Sequence, residues 1–107
     1  MTERVAEQNW TTKDAADLYQ VSGWGNGFFG VNNKGNIVAI PDGEHEIDLK
    51  VLCDELTAGK MSAPLLLRFS DILRQRMRQI HERFQTAIQE SGYQSRYFGV
   101  YPIKVNQ

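Results

Sequence analysis

At 107 residues, 41% hydrophobic and 23% charged, the chain has the size and make-up of one small domain. Twelve Lys and Arg nearly cancel thirteen Asp and Glu, so no global charge argues for nucleic acid or an anionic membrane as partner. No apolar stretch approaches the roughly 20 residues of a membrane span, residues 1–8 lack a signal-peptide apolar core, and the single Cys53 excludes an internal disulfide; together these predict a cytoplasmic protein.

Residues 1–9 are polar and unpatterned and are expected to be a mobile terminus. Thr11 or Thr12 can cap a short helix through Lys13-Asp14-Ala15-Ala16-Asp17-Leu18-Tyr19, with acids in its first turn. The stretch 21–30 is rich in glycine, which predicts a loop that lets Trp24, Phe28 and Phe29 pack. Residues 28–31 read as a strand, Asn32-Asn33-Lys34-Gly35 as a turn and 36–40 as the return strand, closed by Pro41-Asp42-Gly43. Asp48 is a good N-cap for a helix from Leu49 to about Ala58, with Gly59 as its stop. Leu49, Leu52, Cys53 and Leu56 recur at helical spacing within it. A thiol at that spacing reads as a buried structural cysteine.

Pro64-Leu65-Leu66-Leu67-Arg68-Phe69 is a nearly continuous apolar run, as in a strand covered on both faces. Ser70 then caps the longest helix, 71 to about 91, about 30 Å at 1.5 Å per residue. Leu73, Met77, Ile80, Phe84, Ala87 and Ile88 form its apolar stripe, and Gly92 stops it. Five basic residues from Arg68 to Arg83 are interspersed with Asp71 and Glu82, which reads as a solvated helix face and not a phosphate patch. Residues 96–105 read as the last strand. Strand, helix, strand over 64–105 predicts a right-handed βαβ unit with parallel strands. The organisation expected is therefore a terminus at 1–9, a helix, hairpin and helix over 10–60, and an unfinished βαβ start over 61–107.

Most candidate chemistry dissolves on inspection. Gly23, Gly25 and Gly27 precede a predicted strand, whereas a dinucleotide fingerprint follows a strand and opens a helix. His45 and His81 lie in different elements without paired cysteines, so no metal site is expected. Asp42, Glu44, Glu46 and Asp48 lack the spacing of a calcium loop. Lys104 remains, at the tip of the apolar run 97–103. Strand alternation would put Phe98, Val100, Pro102 and Lys104 on one face. Burial among apolar neighbours lowers an amine's pKa, and a neutral amine can condense with an aldehyde. The competing reading is a lysine fraying into water. Pro102, which donates no ladder hydrogen bond, marks a bulge or a strand end just before it.

Val100-Tyr101-Pro102-Ile103-Lys104-Val105-Asn106-Gln107 resembles the cofactor-lysine motif of biosynthetic arginine decarboxylases, pyridoxal phosphate enzymes with an alanine-racemase-like barrel. Two further segments resemble the same family: residues 24–32, Trp24-Gly25-Asn26-Gly27-Phe28-Phe29-Gly30-Val31-Asn32, and residues 64–73 from Pro64 to Leu73. The resemblance covers about Trp10 to Gln107. It implies an α/β fold: an N-terminal hairpin and helix segment, then the first βα portion of a (β/α)8 TIM-type barrel, incomplete.

It also implies that Lys104 holds pyridoxal 5'-phosphate, that L-arginine is the substrate and agmatine the product, and that the full-length enzyme is a homo-oligomer; a Mg2+ requirement is a family expectation. The chain departs from the family in length. The phosphate-binding glycine loop, the histidine that stacks on the cofactor ring and the acid that pairs with its pyridine nitrogen cannot be assigned here. The expectation is an N-terminal piece of a larger enzyme, inactive alone. Two alternatives stay open: a non-catalytic module that pairs with full-length subunits, and a sibling enzyme acting on another basic amino acid.

Overall fold

A computed structural model describes residues 9–104. The expected mobile terminus lies outside the described residues except for Asn9, as does Val105 of the last expected strand. The chain divides into two compact units, one ending at Ile72 and the other beginning at Leu73.

The first unit opens with helix α1, Thr12–Leu18. Thr11 is its N-cap, and a reciprocal capping box explains why the helix starts there. The Thr11 hydroxyl accepts from the Asp14 amide at 3.1 Å, and the Thr11 amide donates to Asp14 Oδ2 at 2.8 Å. The glycine-rich stretch is not all loop. Val21–Gly25 form a short helix, α2, entered through Gln20 and left through Asn26, both left-handed. Helical hydrogen bonding satisfies backbone groups here that a buried loop would leave unpaired: the Trp24 amide donates to the Gln20 carbonyl at 3.1 Å, and the Trp24 indole N–H donates to the Tyr19 carbonyl at 3.0 Å. Trp24 then lies against Phe29, ring centroids 5.4 Å apart, so the expected aromatic packing is present.

Strands β1, Phe29–Val31, and β2, Ile37–Ala39, pair antiparallel as the predicted hairpin, with Gly30 opposite Val38. The turn uses Gly35 at φ 80, a left-handed conformation in which a side chain would be strained. A third strand, β3, Ile47–Asp48, was not predicted; it adds to β2 antiparallel, with Ala39 opposite Ile47. The sheet order is β1-β2-β3. Val21, Val38 and Ala39 are the fully buried apolar residues of the described chain, so the core sits where α2 meets the sheet.

Asp48 joins the sheet to helix α3, Leu49–Ala58, whose bounds are those predicted. One carboxylate oxygen of Asp48 accepts from the Lys50 and Val51 amides at 2.9 and 3.1 Å. The other accepts from the side-chain amides of Asn32 and Asn36 at 2.7 and 3.0 Å. A single side chain therefore caps the helix and ties down the hairpin turn.

Beyond α3 the two expected strands do not form. Residues 64–69 form no strand, although their burial alternates: Leu65, Leu67 and Phe69 are half-buried, while Leu66 and Arg68 are exposed. Residues 96–104 form no strand either. Strands exist by pairing, and the one sheet of the described residues uses other segments. The expected parallel βαβ unit is therefore absent among the described residues. What the structure contains is a small mixed α/β arrangement built on an antiparallel sheet. Helix α4, Ser70–Ser91, forms as predicted and runs from the first unit into the second. Its apolar stripe is not buried: Leu73 and Met77 are each 63% exposed.

Candidate functional site

The second unit carries Lys104. After α4 the backbone turns at Gly92, φ 67, and the Tyr93 amide donates to the Ile88 carbonyl at 3.1 Å. That pairing with a left-handed glycine is a Schellman closure, which satisfies a terminal helix carbonyl and redirects the chain. The returning segment touches the helix through Tyr97. Its ring stacks on Phe84 with centroids 4.2 Å apart and planes parallel, and lies 6.2 Å from the His81 ring at 52°. Arg96 places its guanidinium 5.6 Å from the Phe98 ring centroid, within cation–π range.

Lys104 itself is exposed, at the end of the described residues and outside any regular element. Its expected apolar surroundings are open as well: Val100 is 88% and Ile103 89% exposed. The burial that would favour a neutral amine is not supplied by these residues. Pyridoxal phosphate needs a reactive amine, a phosphate cradle and an enclosing wall. Lys104 provides an accessible amine. Residues 9–104 offer an exposed amine at Lys104 and do not close over it.

The other sequence candidates resolve into structure. Gly23 and Gly25 lie within α2 and Gly27, φ 83, links it to β1, so the glycines shape a helix–strand junction. His45 pairs with Asp42 in an exposed turn. The His45 backbone amide, then its ring, then the Glu44 amide hold the Asp42 carboxyl far below the usual carboxylate range. His81 is exposed on α4 beside Tyr97. Cys53 is free and half-buried. Among the described residues, no three His, Cys, Asp or Glu side chains converge as metal ligands, and no helix is long and apolar enough to cross a membrane. The sequence reading did not single out Tyr97, because aromatic stacking across a helix reversal leaves no spacing signature.

No family model matches the sequence. Curated relatives do. The biosynthetic arginine decarboxylase of Phocaeicola vulgatus is 46% identical over 102 residues, 94% of this chain and 16% of the relative. Over nearly its whole length the chain is similar to one segment of that relative. The arginine decarboxylase of Gloeobacter violaceus is 45% identical over 102 residues, and that of Rhodopirellula baltica 43% over 105 residues, each again matched over 16% of its length. The chain thus spans about a sixth of the arginine decarboxylases it matches, and the resemblance read from the motif ending in Lys104 is to the same family.

Proposed function

We propose that this chain is the portion of a pyridoxal phosphate-dependent arginine decarboxylase that carries the cofactor lysine, Lys104. The 46% identity to a biosynthetic arginine decarboxylase over 102 residues carries the reading. The Tyr101-Pro102-Ile103-Lys104 motif supplies the residue. The longer enzyme would convert L-arginine to agmatine and carbon dioxide, a step towards polyamines, as a cytoplasmic homo-oligomer built on a (β/α)8 barrel and with a Mg2+ requirement. Bound pyridoxal phosphate would supply an electron sink for the carbanion left by the departing carboxylate. The part of this chain is narrower: the Lys104 amine attaches the cofactor, and 9–104 give no enclosure that could exclude water from it. These residues alone are therefore inactive.

Two experiments test this. The isolated chain, incubated with pyridoxal phosphate and L-arginine, is expected to yield no agmatine above the protein-free blank. The matching segment of the Phocaeicola vulgatus enzyme, replaced by this chain, is expected to restore agmatine production, and Lys104→Ala in that graft to abolish it. Turnover by the isolated chain at an enzyme-like rate, or an active Lys104→Ala graft, would overturn the proposal.

A further inference from the structure

We infer that Tyr97 is the positioning residue for Lys104, acting through its stack on Phe84. The inference rests on the reading of Lys104 as the working amine. Of residues 91–104, Tyr97 is the one side chain that is not exposed. Phe98, Tyr101 and Ile103 are 69%, 82% and 89% exposed, so none of them anchors the segment to α4. The contact on the helix side is Phe84, in the middle of the apolar stripe, and the two rings are parallel at 4.2 Å.

The Tyr97 ring also passes near Gly99. A Cβ placed on Gly99 would sit 3.5 Å from the Tyr97 hydroxyl oxygen and 3.6 Å from the ring edge. The ring therefore stacks on Phe84 and passes close to Gly99, where a side chain would touch it. Its orientation and the path of 97–99 are set together. Gly92 fixes where the reversal begins, and Tyr97 fixes the direction in which the chain leaves the helix. Lys104 lies further along the same segment, beyond these two points. Among the described residues of 91–104, Tyr97 is the side chain whose ring contacts α4.

Distances in the 107-residue chain test the anchor without any cofactor. Spin labels on Glu82→Cys and Lys104→Cys, in a Cys53→Ser background, give the distance distribution between α4 and position 104. Tyr97→Phe keeps the ring and should preserve it. Tyr97→Ala and Phe84→Ala should broaden it, and the double variant should be no broader than either single. Phe84→Leu keeps apolar bulk without a ring and is expected to behave like Tyr97→Ala, which covers the case of an alanine variant that does not fold. An unchanged distribution in Tyr97→Ala or Phe84→Leu would overturn the inference.

Cofactor retention tests the consequence in the grafted enzyme. Tyr97→Ala and Phe84→Ala should weaken pyridoxal phosphate binding about two- to tenfold, the equilibrium weight of one aromatic pair. Tyr97→Phe should restore it at constant helix content by circular dichroism. If Tyr97→Ala retains cofactor as tightly as its parent while Lys104→Ala loses it, the positioning role is wrong. If borohydride still fixes the cofactor to the Lys104→Ala graft, the reading of Lys104 fails instead, and the label distances still decide the anchor.

Discussion

Two glycines of α2, two residues apart, are expected to respond in opposite directions to the same substitution. Alanine in place of a helical glycine gains roughly 0.8–1 kcal/mol from propensity alone. Gly23 is exposed, and a Cβ there would meet only the Gln20 Cβ, at 3.9 Å, an ordinary contact. Gly23→Ala should therefore keep most of the gain and stabilise the protein by about 0.5–1 kcal/mol. Gly25 is buried, and its new Cβ would lie 3.0 Å from the Cβ of Phe29. Carbon atoms prefer about 3.5–4.0 Å, and the opposing atom is next to the β1 backbone, so rotation of the Phe29 ring cannot relieve the clash.

Overpacking of this kind costs about 1–3 kcal/mol. Gly25, the last residue of α2, gains no more from propensity than Gly23 and adds the clash, so Gly25→Ala should be at least about 1–3 kcal/mol less stable than Gly23→Ala. Urea unfolding followed by Trp24 fluorescence, in a Trp10→Phe background, measures the gap. Equal midpoints, or a Gly25 variant more stable than the Gly23 variant, would refute the close approach of α2 to β1.

Asp48 should make stability pH-dependent. The Asn36 side-chain amide lowers its pKa most, partial burial opposes, and the Val51 amide, the Asn32 side chain and the Lys50 amide lower it further. A folded-state pKa below the unfolded value of about 3.9 gives stability that is present above that pH and lost as pH falls through the folded value. Thermal melts should therefore drop on acidification below about pH 4, and Asp48→Asn, which still caps a helix, should make the drop shallower. Gly92 sits at φ 67, so Gly92→Ala should cost about 1–2 kcal/mol and fray the end of α4, visible as lost helical ellipticity, with Gly92→Asn milder.

The parts of the fold that were legible are those fixed by local chemistry. Asp48 and Gly59 bracket α3 at its observed ends because capping depends on residues within a turn of each other. Thr11 and Gly92 bound their helices for the same reason. The hairpin was legible because Gly35 and Asn32, whose side-chain oxygen accepts from the Lys34 and Asn36 amides, specify its turn. Strand β3 was not, because its two residues, Ile47 and Asp48, show no alternation and are recruited only by pairing with β2. The segments 64–69 and 96–104 failed in the opposite way. Their apolar content reads as strand, but a ladder needs a partner supplied from elsewhere in the chain, and composition does not carry that information.

The same division governs the candidate site. The motif ending in Lys104 is local, and the family it resembles can be read without any structure. The reactivity argued for it is non-local, because a neutral amine needs several apolar groups to close over it at once. Residues 9–104 leave Val100, Tyr101 and Ile103 more than four-fifths exposed, at 88%, 82% and 89%. In the isolated chain, Lys104 should therefore condense with an aldehyde at a rate comparable to other exposed lysines such as Lys34 and Lys60. Pyridoxal phosphate labelling at limiting reagent, fixed with borohydride and mapped by peptide mass, reads the three rates in one sample. Preferential labelling of Lys104 by more than about tenfold would mean that these residues already desolvate the amine, against the open surroundings that the structure gives it.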